Sequence, residues 1–272
     1  MQRDPNRWRK QSFRWWLGRL PFALVHLSPL ALFWTGITTR DVILCVALYV
    51  IRMFFVTAGY HRYFSHRAFK TSRFGQFVLA LGAQSSLQKG VLWWAAHHRH
   101  HHRYSDTPED IHSPKRGFLY SHILWVADPL HKATAFERVK DLARFPELRF
   151  LNRWHWLPAI ALGTGCFLMG GWSALVGGFF LSTVILYHGT YCINSLTHMW
   201  GTRRYETGDM SRNNFFLSVI TLGEGWHNNH HHTPGRTAQG ERWWEIDPTY
   251  GVLRVAELLG LVSDVRTASA AA

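Results

Sequence analysis

The sequence predicts an all-α integral membrane fold: four transmembrane helices in two hairpins, with a cytosolic helical cap that carries a histidine-rich dimetal site. Three observations predict it. Apolar runs at or near bilayer-spanning length recur along a 272-residue chain, which is long enough for one domain with a sizeable core. Short polar or glycine breaks pair those runs into hairpins. Nine histidines fall in four clusters that abut or end apolar stretches: HRYFSH (His61, His66), HRHHH (His98, His101, His102), NSLTH (Asn194, His198) and HNNHH (His227, His230, His231).

Taken in order, residues 1–19 carry Arg3, Arg7, Arg9, Lys10, Arg14 and Arg19 against Asp4 alone and read as a basic cytosolic segment. The first span, 20–36, has no small-residue cleavage site, so it reads as a retained anchor and not a signal peptide. A polar turn over Thr38, Thr39, Arg40 and Asp41 leads to the second span, 42–58. Arg52 inside it is costly in lipid, so it faces protein or snorkels. Spans three and four, 156–170 and 172–194, turn at Gly170–Gly171. Two hairpins return 59–155 and 195–266 to one face, the cytoplasmic one by its basic residues, and these segments form the cap. The small-residue tail 267–272 is expected to be disordered, and Ile246–Val262 to be an amphipathic helix.

The region from Phe74 to Leu92 is apolar but carries Gln76, Gln84, Ser85, Ser86, Gln88 and Lys89. Were it to cross the bilayer, the first two histidine clusters would lie on opposite sides. A shared metal site therefore demands a re-entrant, interfacial or buried helix here.

The formal charge of +13 suits lipid headgroups or an acidic electron donor. Nucleic acid is disfavoured, because the basic residues flank apolar segments and no zinc-finger cysteine pairs exist. Cys45, Cys166 and Cys192 sit in apolar runs and read as small hydrophobes.

HxxHH occurs twice, and residues three and four apart share a helix face, so each copy is expected to aim three imidazoles at one locus. His97, His100 and His232 read as supporting or solvent-facing, and Glu224, Asp106, Glu109 and Asp110 as acceptors for the second ring nitrogens. His61 and His66 would diverge by about 140° on a regular helix. They fit a common site only between two metals or at a helix end. Asn194 lies one turn before His198, which suggests one further ligand and an amide holding a metal-bound water. No repeated Glu-x-x-His, HExxH, GxGxxG or P-loop is present, so any electrons must come from a separate protein. Imidazole-only ligation beside greasy helix ends suits iron and O2-dependent oxidation of an aliphatic lipid, although ligand type alone leaves zinc open. A lipid or alkane hydroxylase shares this logic. A metal transporter would place its ligands inside the membrane.

These motifs, with TAGYHRYFSHRAFKTS, YSDTPEDIHSPKRGFLYSHILW and GEGWHNNHHHTP, resemble the histidine boxes of membrane fatty-acid desaturases from about Thr57 to Pro234, and in particular the stearoyl-CoA and bacterial acyl-lipid delta-9 branch. The resemblance implies a multi-pass protein, here of a bacterial inner membrane, with termini and active site cytoplasmic. It implies that His61, His66, His98, His101, His102, His198, His227, His230 and His231 hold two iron ions and act in catalysis, with Asn194 reaching iron through water. O2 would be the co-substrate, and a ferredoxin or small b-type cytochrome the donor. The substrate would be a saturated acyl chain on coenzyme A or membrane lipid. Gln88, Trp94 and Thr190 match positions that bend the acyl tunnel, and Lys115 and Arg116 match a basic pair that meets coenzyme phosphates. Ala96–His97 replaces an Arg-Asp pair of the animal acyl-CoA enzymes, which leaves the acyl carrier open. HPGG is absent, so no fused cytochrome domain is expected in this sequence.

Overall fold

The computed structural model describes residues 12–266. Arg3, Arg7, Arg9, Lys10 and the 267–272 tail, for which cytosolic and disordered states are expected, lie outside the described residues. The described residues are mostly helical, with one two-stranded antiparallel ribbon among them pairing β1 (Lys70–Thr71) with β2 (Val262–Ser263).

A short helix, α1 (Phe13–Leu17), precedes α2 (Leu20–Thr35), an apolar helix with a 3-10 turn at Ser28–Ala31 where Pro29 interrupts the regular bonding. Helix α2 stops at Gly36, whose φ of +67° is readily adopted only without a Cβ. The expected polar turn is displaced. Thr38 is an N-cap, and Thr39–Asp41 already form the first turn of α3 (Thr39–Ser65). Thr38 and Asp41 make a reciprocal capping box, which explains why a polar quartet starts a helix instead of linking two. Helix α3 also outruns the expected end at 58. Its last segment, Phe55–Ser65, is π-helical and carries the first histidine pair out of the apolar zone.

The region from Phe74 to Leu92 forms no spanning helix: α4 (Arg73–Gln84) has 12 residues, about 18 Å at the α-helical rise. A loop then leads to α5 (Val91–Tyr104), which carries the second cluster. Helix α6 (Pro146–Arg153) packs under α4 and α5. The apolar stretch Leu157–His198 is broken at Gly170 (φ −159°) and Gly171 (φ +65°) into α7 (157–169) and α8 (172–198). Short helices α9 (Phe215–Ile220) and α10 (His227–His232) follow, then α11 (Pro248–Leu258), which is shorter than the expected Ile246–Val262 because Asp247 caps it and Gly260 (φ +70°) closes it.

Among the described residues, two apolar helical stretches, α3 (Thr39–Ser65) and the kinked Leu157–His198 that comprises α7 and α8, are long and apolar enough to cross a membrane. Their outer faces expose Ile43, Val46, Ile160, Leu168 and Trp172, while Cys45, Leu48, Cys166 and Phe179 are buried between them. Arg52 is buried in this bundle, donating to Thr183 Oγ1 (2.7 Å), Ser182 Oγ (2.5 Å) and the Leu48 carbonyl (3.1 Å). It faces protein, and its guanidinium charge is spread over hydroxyl and carbonyl oxygens. The two turns lie side by side. Ser173 Oγ donates to Asp41 Oδ2 across 2.8 Å, and Arg40 reaches the Gly170 carbonyl at 3.3 Å. The histidine clusters gather at the other ends of α3 and α8.

Candidate metal centre and its cleft

Four elements deliver the imidazoles, and the structure sorts them into two groups. His61, His66, His98, His102 and His230 form one; His101, His198, His227 and His231 form the other. Within each group the ligand atoms lie within 4.8 Å of one another. Neither HxxHH copy aims at one locus, which corrects the expectation. Successive helical residues are rotated by about 100°, so His101 and His102 cannot converge, nor can His230 and His231. Each helix instead straddles the two groups.

The first pair converges for a different reason. In a π-helix the backbone bonds run from i to i+5. The His66 amide donates to the His61 carbonyl at 3.3 Å, so residues five apart stack over each other and both rings join the group of five.

The donor set fits metal ions. His230 Nε2 lies 2.9 Å from His61 Nε2 and 3.0 Å from His102 Nε2; His198 Nε2 lies 3.0 Å from His227 Nε2. Two nitrogens each about 2.1 Å from one ion at right angles stand about 3.0 Å apart. Carboxylates hold four of the rings: Asp106 takes Nδ1–H of His198 (2.8 Å), Asp110 that of His101 (3.0 Å), Asp209 that of His231 (2.7 Å) and Glu224 that of His61. Each such bond leaves Nε2 as a lone-pair donor. His231 Nε2 is buried without a hydrogen-bond partner, as a vacant ligand atom would be. Burial, then the neighbouring imidazoles, hold His66, His98, His102, His227 and His230 well below the ordinary histidine value, so they stay neutral and able to bind a cation. Burial acts against ionisation of Glu224, but His61 and Arg62 hold it down to about 2.

Of the expected acceptors, Asp106, Asp110 and Glu224 meet ligand rings. Glu109 does not; its backbone carbonyl takes His100 Nε2 at 2.9 Å. Asp209 was not anticipated, since it sits in a loop far along the chain from His231. His97 bonds the Trp93 carbonyl (2.8 Å) and stacks on that indole, and His232 stacks on Tyr205 at 3.9 Å, so both lie outside the two groups.

Beside the imidazoles run two adjoining, partly open cavities. Both are lined by Trp94, His98, Thr190 and Asn194. Trp94 stacks on His98 (4.9 Å) and on Tyr60 (5.3 Å). Gln88 Nε2 donates to Thr190 Oγ1 at 2.9 Å across the junction. The loop that presents Gln88 is strained: Leu87 (φ +59°) and Lys89 (φ +72°) are both left-handed without being glycine. Two tyrosines pin it, Tyr187 to the Leu87 carbonyl (3.0 Å) and Tyr60 to the Lys89 carbonyl (2.6 Å). Lys115 and Arg116 lie outside both linings. Lys115 is exposed, and Arg116 stacks over Tyr120 with Asp128 at 3.9 Å.

Apolar helices that end at two gathered groups of imidazoles define a histidine-rich candidate metal centre beside helices of membrane-spanning length. The fatty acid desaturase family model matches residues 37–256, and the chain belongs to that family. Among its relatives are an acyl-CoA C20 Delta5-desaturase of Anemone leveillei, 37% identical over 83% of this chain and 73% of that protein. A Delta-9 acyl-lipid desaturase 2 of Arabidopsis thaliana is 35% identical over 90% of the chain and 79% of its own length. An sn-2 palmitoyl-lipid 9-desaturase of Nostoc is 34% identical over 96% and 93%.

Proposed function

We propose that this protein is an O2-dependent desaturase that inserts a cis double bond, at the delta-9 position, into a saturated acyl chain carried on a membrane lipid or coenzyme A. The observation that supports the reading is the cleft that runs past both imidazole groups and is lined by Trp94, Thr190 and Gln88, with Gln88 bonded to Thr190. The 9-desaturase names of the Arabidopsis and Nostoc relatives support the position and a lipid carrier; the acyl-CoA name of the Anemone Delta5-desaturase supports coenzyme A as the other carrier.

The group of five and the group of four would each hold one iron, which when bound supplies one-electron redox chemistry toward O2. The chain's own residues do the rest. Asp106, Asp110, Asp209 and Glu224 fix ring tautomer and orientation. Asn194, one turn before His198 and lining the same cavity as His101 and His227, would hold a water beside the group of four. Trp94, Gln88 and Thr190 bend the acyl chain so that one segment lies against the imidazoles. The apolar cleft wall keeps bulk water away from that segment. Electrons come from a separate ferredoxin or small b-type cytochrome.

In this reading α2, α3, α7 and α8 are four spans in two hairpins. The paired turns at Asp41 and Ser173 lie on the outer face, and the cap with both termini is cytoplasmic. Expression in a host of known lipid composition, followed by mass-spectrometric location of new double bonds, tests the function. A monounsaturated chain at delta-9 is expected; a hydroxylated chain as the main product overturns it.

A further inference from the structure

A third cluster lies beside the group of four and shares one ring with it. His101, Asp110 and His112 bring ligand atoms within 4.8 Å of one another, and all three are buried. Helix α5 supplies His101, and the loop that follows it supplies Asp110 and His112. The carboxylate is fixed on both oxygens: Oδ2 accepts the Asp106 amide at 2.9 Å, and Oδ1 the His112 amide at 3.3 Å. The His112 ring packs against the His101 imidazole, with centroids 4.2 Å apart, and against the Trp125 indole at 5.1 Å.

His101 and Asp110 already serve the metal centre, but His112 belongs to neither group of imidazoles. Its Nδ1 is buried and has no hydrogen-bond partner among the described residues. An unpaired buried nitrogen is costly, and folded proteins leave few of them. A cation bound to Nδ1 removes that cost. His101 Nδ1 and Asp110 Oδ1 are 3.0 Å apart. Two such donors on a tetrahedral zinc ion, each about 2.1 Å from it, stand about 3.4 Å apart. Zinc therefore needs only a small widening of this hydrogen bond. Two imidazole nitrogens and a carboxylate oxygen form a zinc donor set with one position left for water. His112 also lines the larger cavity, which gives an ion a way in.

We infer that His101, Asp110 and His112 form a third metal site, which takes Zn2+ and regulates the centre beside it. The entering ion replaces the proton that His101 Nδ1 donates to Asp110. That proton passes to solvent, and no oxidation state changes. His101 then faces two sites with one ring, as an imidazolate: Nδ1 to the zinc and Nε2 to the group of four. Widening the His101–Asp110 pair shifts this ring. Misplacing a group at a reacting centre by about 1 Å costs on the order of 100-fold in rate, so a shift of a few tenths of an ångström should slow the reaction severalfold. Zinc at this site is therefore inhibitory. The inhibition rests on the desaturase reading; the binding does not.

Full-length protein carrying its iron is dialysed against buffered free Zn2+, and both metals are counted per chain. One zinc should enter above the iron complement, with iron unchanged and one proton released per zinc. His112→Phe keeps a ring against His101 and Trp125 but offers no nitrogen. It should weaken zinc at least about tenfold and keep its iron. X-ray absorption at the zinc edge of the wild type needs no variant. Two imidazoles with oxygen neighbours are expected; three or more imidazoles would place the ion in a histidine group and overturn the inference. No uptake above the iron at about 1 mM free zinc overturns it too. So does zinc gained only as iron is lost, or equal uptake by a folded, iron-bearing His112→Phe. In product assays, zinc should slow the wild type severalfold at concentrations that leave His112→Phe at its own zinc-free rate. Binding without slowing overturns the inhibitory role. A protein that takes the third ion as described yet makes no double bond fails only the functional reading.

Discussion

The imidazole of His231 donates from Nδ1 to Oδ2 of Asp209 across 2.7 Å, and its Nε2 points into the group of four with no other partner. Asp209 is itself fixed by Thr207 Oγ1 (2.7 Å) and the Ser211 amide (2.9 Å). Asp209→Asn keeps the shape but removes the charge that supports ring basicity. Metal affinity at the group of four should fall about 10–100-fold, while the group of five keeps its ion. Metal content per chain after dialysis against graded chelator checks this; unchanged retention would remove Asp209 from any role at the centre.

The glycines around the last histidine cluster differ sharply. A Cβ on Gly225 would run into the backbone nitrogen of Ser218 and the carbonyl of Asn214, neither of which can rotate away. Gly225→Ala should displace α10 and cost about 1–3 kcal/mol or more, with loss of metal. Gly251 lies within α11 with open space at its Cβ. Gly251→Ala should stabilise by about 0.5–1 kcal/mol. Thermal midpoints in detergent, with metal content alongside, separate the two.

How much of this was legible depends on which interactions are local. The HxxHH spacing reveals two helices presenting imidazoles, because the α-helical period is fixed. The split of His101 from His98 and His102 was lost by treating a shared face as a shared point; the angle between neighbouring residues already forbids it. The π-turn over Phe55–Ser65 has no residue signature, so His61 and His66 were readable only as a pair in need of a device. The breaks at Gly36 and Gly170–Gly171 were visible as glycines, but the capping box moved the start of α3 to Thr39. Asp209 and the left-handed Leu87 and Lys89 gave no signal, since one acts across the fold and the others adopt a conformation that glycine normally marks.

Thr190 Oγ1 takes the Gln88 amide at 2.9 Å and donates to the Leu186 carbonyl at 3.1 Å. Replacing it with Leu removes the acceptor and puts bulk at the junction of the two cavities. Gas chromatography of products from Thr190→Leu should show a shift in double-bond position or preferred chain length. An unchanged profile would take Thr190 out of the acyl path.

Arg73 and Glu147 join α4 to α6, with contacts of 2.7 and 2.8 Å. The Arg73 hydrogen bond holds the Glu147 carboxyl at about 2, below its ordinary value near 4.5. A depressed carboxyl contributes stability that is complete above its unfolded value and is lost as pH falls toward the folded one. The contribution should therefore disappear between about pH 4.5 and 2, and Glu147→Gln should remove only that part of the acid limb. Because the pair is solvent-exposed, screening keeps its effect small. Thermal midpoints of wild type and Glu147→Gln should differ above pH 5 and converge in acid. A difference that grows as pH falls would mean that α4 is anchored by another contact.

Arg62 is buried with two carboxylates, Glu224 at 3.0 Å and Asp247 at 2.9 Å, and also donates to the Thr237 carbonyl at 2.8 Å. It thus links the π-turn of the first cluster, the loop before the last cluster and the cap of α11. Arg62→Ala leaves two buried carboxylates without their cation, a loss of about 3–5 kcal/mol. It also frees Glu224 to turn from His61, so the group of five should lose its ion more readily than the group of four. Arg62→Lys restores charge but cannot bridge both carboxylates in the same plane, and should recover only part of the stability. If Arg62→Ala unfolds at the wild-type midpoint and keeps both ions, the link between the carboxylate network and the metal centre is wrong.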